Sequence, residues 1–206
     1  IAEKIPSSAM AQKGILELAK KFKTYILTGI VERAGKSLYN SAIMVGPEGY
    51  IGHYQKRFLP NFGPFEEKMY FGEGKKSTVF DTPFGKIGVQ ICYDLFFPET
   101  SMDLAHDNAD LIINLAASPT TSRPLFHRML PARAIETTCF YAYSNNIGTQ
   151  GSLTFAGESV VVDPRGKIIA EMPSFEEGVI VCELKFEDLE RFREARPVLR
   201  DSKKKE

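Results

Sequence analysis

A thiol, an ammonium and a pair of carboxylates are the side chains of this sequence best placed to do chemistry. The thiol is Cys92, in the stretch GVQICYDLFFPE at 88–99. An uncharged, mostly apolar run ends on it, and then Tyr93, Asp94, two phenylalanines and Pro98-Glu99 follow, so the pattern reads as a buried strand giving way to a turn. A side chain at that point faces the carboxyl edge of a sheet, where α/β proteins bind their ligands. The amide of the next residue, Tyr93, can point at a developing oxyanion. Position alone leaves Cys92 open to two readings, core thiol and nucleophile. Cys139 in CFYAYSNN and Cys182 in GVIVCEL lie inside apolar strand patterns and read as small buried hydrophobes.

A thiol of ordinary pKa is mostly protonated at neutral pH, so a nucleophilic cysteine needs a base or a cation beside it. His53, His106 and His127 stand in no distinctive setting. A Cys–His amide hydrolase would need one of them next to Cys92. The stretch YQKRFLPNFGPFEE offers another activator. Lys56 ends a strand there, and a loop with two prolines and a glycine leads on to Glu66 and Glu67. A strand-end lysine and a strand-end cysteine can share one sheet edge. Taken alone, Lys56-Arg57 also reads as solvated charge.

The elements that must position these groups are legible as periodicities. Serines 7 and 8 offer a cap, and Ile15, Leu18, Ala19 and Phe22 recur at helical spacing, which predicts a helix over 8–22. TYILTGIVE reads as a buried strand. SLYNSAIMVG, the turn PEG and YIGHYQK read as a hairpin, and GESVVVD, PRG and KIIAEM as a second with the same turn chemistry. Two strands flank TPFG. PETSMDLAHDNA reads as a helix with Pro98 in its first turn, DLIINLAAS as a fully buried strand, PLFHRMLPARAIETT as a helix broken or kinked near Pro131, CFYAYSNNIG and GVIVCEL as strands, and FEDLERFREA as a last helix. Strands and helices interleave with hairpins among them, which predicts an α/β layered domain with mixed sheets.

Composition excludes several classes of function. Lys+Arg and Asp+Glu each number 26 in 206 residues, so there is no basic footprint for nucleic acid or an acidic membrane surface. No apolar run approaches the ~20 residues needed to span a bilayer. Three cysteines in a chain this long do not form a disulfide framework. A cytoplasmic protein with free thiols is expected. The run DSKKKE reads as a charged tail, placed at 199–206 after a domain spanning 1–198.

Taken together, these stretches resemble the nitrilase superfamily of carbon–nitrogen hydrolases. GIVERAGKSLYNSAIMVGPEGYIGHYQKRFLP is similar to the family segment that ends in its catalytic lysine, NFGPFEEKMYF to the following loop with a further glutamate, and GVQICYDLFFPE to the nucleophile segment. LPARAIETTCFYAYSNNIG and FAGESVVVDPRGKIIAE are similar to its later helix, strand and hairpin. LPNFGPFEE and NLAASP also resemble the glutaminase domains of NAD synthetases in the same superfamily. The resemblance implies an αββα sandwich of two mixed sheets between helical layers, self-association as a homodimer or higher homo-oligomer, and no metal or organic cofactor. It implies hydrolysis of a small amide, carbamoyl compound or nitrile through a thioester on Cys92, with Lys56 and the Tyr93 amide holding the oxyanion. Glu67 would orient Lys56 or the substrate, with Glu66 its rival, and Phe62 and Ala117 would lie on the substrate side. No nucleic-acid or membrane partner is implied.

One departure from the pattern matters. The family's general base is a glutamate in a Phe-Pro-Glu context at the end of an early strand. The only Phe-Pro-Glu here is Phe97-Pro98-Glu99, after the nucleophile, and Glu3 lies in a polar lead-in that does not match. The expectation is therefore a chain lacking its first strand–helix–strand unit. Residues 1–206 alone would then be inactive and not an independent folding unit. The alternative is a relative that binds without turnover.

Overall fold

Two proline- and glycine-containing turns close the hairpins that the periodicities predict. In the computed structural model, which describes residues 2–6 and 10–202, strand β2 (Ser37–Gly46) returns as β3 (Gly49–Gln55). Gly49 takes the turn at φ +131°, a conformation that glycine alone adopts without strain. The chain divides into two units, Ile1–Phe80 and Asp81–Glu206.

The first unit is built on β1 (Ile26–Ala34), β2 and β3, in that order and antiparallel throughout. The hairpin connections make these two pairings antiparallel, and Glu3 adds a parallel bridge to Glu32 at the β1 edge. Helix α1 (Met10–Phe22) packs against β2 and β3. Its buried face carries Gln12 and Ala19, whereas Leu18 and Phe22 are 48% and 63% exposed, so the helix is rotated from the expected apolar stripe. The reason is a tether. Residues 2–6 lie along β1, with the Glu3 amide donating to Val31 O at 2.9 Å and Arg33 N to Glu3 O at 2.7 Å. Gln12 turns toward that segment and donates to Glu3 Oε2 and Lys4 O at 3.1 and 2.7 Å. The predicted capping serines lie outside the described residues. After β3 a loop leads to the short helix α2 (Glu67–Tyr70).

The second unit holds a six-stranded sheet with the order β11-β10-β7-β6-β5-β4. Its strands are β4 (Val79–Thr82), β5 (Gly85–Ile91), β6 (Leu111–Ala116), β7 (Phe140–Asn145), β10 (Val160–Val162) and β11 (Ile168–Glu171). β5, β6 and β7 run parallel, and β10 and β11 are antiparallel. This sheet is mixed, as expected. A small hairpin of β8 (Ile147–Gln150) and β9 (Leu153–Ala156), not foreseen from the pattern, continues the CFYAYSNNIG stretch. Helices α3 (Pro98–His106) and α4 (Arg123–Thr137) make the crossovers. Gly88 lies 3.2 Å from Leu104 at the position a Cβ would take, so a larger residue would push α3 off β5.

Three expectations need correction in this unit. α4 is not broken at Pro131, because Phe126, Leu130, Ala134 and Thr137 bury its face on both sides of the proline. GVIVCEL forms no strand. Val179 and Val181 stand 84% and 89% exposed and Cys182 is exposed, since no described strand lies beside them to complete a ladder. Alternation specifies the two faces of a strand but not its partner. Finally, α5 (Asp188–Ala195) is followed by a short helix α6 (Val198–Ser202) across the start of the expected tail, whose residues 203–206 lie outside the described residues.

Under the parallel strands lies a closed polar network. Tyr141 Oη donates to Gln90 Oε1 at 2.6 Å and lies 2.9 Å from Ser101 Oγ, while Gln90 Nε2 donates to Ser101 Oγ at 3.1 Å and to Thr100 Oγ1. Burial drives the Tyr141 phenol pKa far up, so it stays a neutral donor. A Tyr141→Phe protein should lose about 1–3 kcal/mol of unfolding free energy, because the Gln90 carbonyl stays buried without its donor. Urea denaturation measures this, and an unshifted midpoint would show the network to be dispensable.

Candidate active site

Lys56 follows directly on β3, its amide bonded to Asn40 O and its carbonyl to Gly74 N, both at 2.8 Å. The side chain is 1% exposed. Such a burial of ammonium requires compensation. Glu67 supplies it, at the start of α2, with Oε1 and Oε2 2.8 and 2.9 Å from Lys56 Nζ. Glu66 is exposed at the N-cap of the same helix, and its carbonyl accepts from Met69 N. Of the two adjacent carboxylates, Glu67 is the one that reaches the lysine. An ammonium has three donors, so this pairing leaves Lys56 one N–H beyond the two engaged by Glu67. Phe62, on the intervening loop, is 53% exposed and packs edge-on to Phe65.

In the second unit Cys92 opens a 3₁₀ turn, Cys92–Phe96, immediately after β5. Its φ is +47°, a left-handed setting that costs a non-glycine residue roughly 1–2 kcal/mol. Several bonds hold the turn there. Asp94, fully buried, accepts from Ile91 N at 2.9 Å through Oδ2. Thr100 Oγ1 shares its one O–H between the carbonyls of Asp94 and Phe97, at 2.9 and 2.8 Å. Arg133 of α4 donates from Nε to Leu95 O at 3.0 Å. The Cys92 peptide itself is met by Asn114 of β6, whose Oδ1 accepts from Cys92 N at 3.1 Å and whose Nδ2 donates to Cys92 O at 3.3 Å.

Register places this turn at the carboxyl edge. Ile91 pairs with Leu115, Leu115 with Ser144, and Ala116 with Asn145, so β5, β6 and β7 end level, and Cys92, Ala117 and Asn145 all stand at their carboxyl ends. Cys92 and Tyr93 are half-buried and Ala117 is exposed. Asn145 shapes the edge: Oδ1 accepts from Ser118 N at 2.8 Å, and Nδ2 donates to Ser118 O and Gly157 O at 3.2 and 3.0 Å.

A narrow pocket opens at this edge between Ser118, Phe126, Tyr143 and Asn145, enclosing about 10 Å³, room for roughly one water. Its polar end is Glu158, whose carboxylate receives Arg123 Nε and Nη2 at 2.5 Å each, His127 Nε2 at 2.7 Å, and Ser174 Oγ. Burial pushes the Glu158 carboxyl up, but the bonds from Ser174, Arg123 and His127 outweigh it and hold the group below its ordinary value. Tyr143 links pocket and thiol. Burial raises its phenol furthest, a Ser118 bond opposes that, and negative charge at Cys92 and at Glu158 raises it again. An aromatic series lines the approach: Tyr93 with Phe96 at 5.4 Å, Phe96 with Phe126 at 5.4 Å, and Phe126 with Tyr143 at 5.1 Å.

The predicted residues thus fall into two groups, Lys56, Glu67 and Phe62 in the first unit and Cys92, Tyr93 and Ala117 in the second. The histidines are engaged elsewhere: His53 with Tyr50 at 2.6 Å, His106 with Ser202 at 2.9 Å, and His127 with Glu158. Among the described residues no cluster of three or more His, Cys, Asp or Glu side chains could hold a metal, and no helix is long and apolar enough to cross a membrane. Asn114 and Glu158 escaped the sequence reading. A lone asparagine inside the apolar run LIINLAAS was the available signal for the first; nothing marked the second.

The chain belongs to the carbon–nitrogen hydrolase family, which it matches over residues 2–194. It is 36% identical to a nitrilase of Pyrococcus abyssi over 89% of its own length and 68% of that protein's. Its mixed α/β fold, sheets flanked by helices, is that of solved relatives. A carbon–nitrogen hydrolase superfamily protein of Xanthomonas campestris, with an arsenic adduct in its active site, superposes with a TM-score of 0.89 at 25% identity, over 100% of this chain and 78% of that one. A variant of the Nesterenkonia sp. AN1 amidase, carrying a Michael adduct of acrylamide at its active-site cysteine, superposes with a TM-score of 0.78 at 28% identity, over 94% and 72% of the two chains.

Cys139 provides a contrast that can be measured. It is fully buried, its Sγ donating to Ala109 O and Thr137 O at 3.1 and 3.3 Å, and burial pushes its thiol up to about 11. At pH 8 only about one molecule in a thousand would then carry the thiolate. Iodoacetamide at that pH should label exposed Cys182 and spare Cys139 until the protein unfolds. Equal labelling of the two by peptide mass mapping would contradict the burial.

Proposed function

We propose that this chain hydrolyses the carbon–nitrogen bond of a small amide or carbamoyl compound, with Cys92 as nucleophile. The observation that carries the reading is the setting of Cys92, a half-buried thiol in a left-handed turn at the carboxyl edge of parallel strands. The acrylamide adduct on the active-site cysteine of the Nesterenkonia amidase supports the choice of residue type.

The Cys92 thiolate attacks the carbonyl carbon, and the C=O electron pair moves to oxygen. The family resemblance assigns that oxyanion to Lys56 and to the Tyr93 amide. The intermediate collapses with loss of ammonia or an amine, which takes up a proton, and leaves a thioester on Cys92. Water adds to the thioester and releases the carboxylic acid and the thiol. Glu67 holds Lys56 in place through both oxygens. The family resemblance implies a glutamate base that takes the Cys92 proton and passes it to the leaving amine.

The pocket bears on the substrate. Arg123 is already held by Glu158 through two bonds, so its charge is neutralised before any ligand arrives. Arg128 is exposed on α4. These facts favour a small substrate without a carboxylate for Arg123 to receive.

The test is release of ammonia by the purified protein from a panel of small amides, carbamoyl compounds and nitriles. Cys92→Ala should abolish turnover, a loss of ~10³ or more. Lys56→Ala should cost ~10²–10³ in kcat, the value of an oxyanion donor. Cys182→Ser should leave turnover unchanged. Activity that survives Cys92→Ala would defeat the assignment. No cleavage of any member would favour a binding protein instead.

A further inference from the structure

We propose that Asn114 is a positioning residue for Cys92: its side-chain amide stands in for a neighbouring strand and fixes the nucleophile's peptide in the left-handed turn. The inference rests on the reading of Cys92 as nucleophile. It names a group that the sequence pattern and the family resemblance do not assign.

The geometry is specific. Asn114 pairs with Gln90 in the β5–β6 register, two residues before Cys92. The regular pairing ends at Ile91 and Leu115. Beyond it the strand turns away, and a backbone partner would no longer face Cys92. Asn114 reaches across instead. Its Oδ1 accepts from Cys92 N at 3.1 Å and its Nδ2 donates to Cys92 O at 3.3 Å. The amide orientation follows from its partners, because the peptide N–H needs an acceptor and the peptide carbonyl a donor. Asn114 is itself fully buried in the centre of the sheet, so its rotamer is set by packing.

Two consequences follow. Both polar groups of the Cys92 peptide are tied down, so the direction in which Sγ leaves the backbone is fixed before any substrate binds. The bond to Cys92 N also removes that amide from the candidate oxyanion donors, which assigns the backbone's share of that task to Tyr93. A hydrocarbon of the same size at 114 would fill the space but remove both of these hydrogen bonds. The turn would then relax toward an ordinary φ and carry Sγ off the edge.

The experiment alkylates the folded chain with iodoacetamide at pH 8 and maps the three cysteines by peptide mass spectrometry. Cys182 serves as the exposed reference and Cys139 as the sensor of unfolding. In Asn114→Leu the Cys92/Cys182 rate ratio should fall by about tenfold or more. Asn114→Asp keeps the acceptor for Cys92 N, loses the donor to Cys92 O, and should show a smaller fall in the same direction. Where an amide is cleaved, kcat should drop with KM unchanged. Alkylation needs no turnover, so the ratio decides the point even where no amide is cleaved. If Asn114→Leu exposes Cys139, it has unfolded and Asn114→Asp alone decides. A folded Asn114→Leu, or an Asn114→Asp, with the wild-type ratio would overturn the proposal.

Discussion

Strand β5 has to stop at Cys92, and it has to stop with that residue in a conformation that L-amino acids avoid. Much of the second unit can be understood as the apparatus that makes this stop stable. The strain at one residue is modest, roughly 1–2 kcal/mol. A single hydrogen bond contributes about 0.5–1.5 kcal/mol net, so one contact would barely offset it. The turn is met from three elements. Asn114 of β6 takes the Cys92 peptide, Thr100 of α3 takes the carbonyls behind it, and Arg133 of α4 takes Leu95 O. Each anchor is itself buried, so none can relax without disturbing the sheet or a crossover helix. Strain of this kind persists where the surroundings over-determine it.

The first unit solves a different problem with the same economy. A lysine that is 1% exposed would ordinarily give up its proton or refuse burial. Glu67 answers it with both oxygens, from a helix of only four residues. The loop with its two prolines explains how so short a helix can be a reliable support. Glu67 N is bonded to Pro60 O, and Phe71 N to Glu67 O, so the carboxylate's own peptide is fixed at both ends. A flexible loop would place the same charge pair at greater entropic cost.

The legible parts of this protein were those written in local periodicity or in turn chemistry. β2 and β3, β10 and β11, and α3 with Pro98 at its start follow from residues adjacent in sequence. Cys92 and Lys56 were visible because each closes a run of strand pattern. What escaped depends on partners distant in sequence. GVIVCEL alternates like a strand, yet alternation cannot supply the neighbour it would need. The rotation of α1 was set by Glu3 and Lys4, which lie beside β1. Pro131 is tolerated because burial holds α4 together on either side of the missing N–H. The choice of Glu67 over Glu66 turned on which side chain faced a lysine 11 residues away. No pattern confined to the loop contains that information.

The pocket at the strand ends follows the same logic in charge. Glu158 is buried in a left-handed conformation, between β9 and β10. A lone carboxylate there would be pushed toward neutrality, and it is instead held ionised by an arginine, a histidine and a hydroxyl. Those donors come from the first turns of α4 and from the segment after β11, so the charge fastens two otherwise separate borders of the pocket. Tyr143 lines the same pocket, and its phenol stays protonated chiefly through burial, with negative charge at Cys92 and Glu158 adding to the effect. The pocket therefore joins an aromatic wall of Phe126 and Tyr143 to ionic groups that are satisfied among themselves.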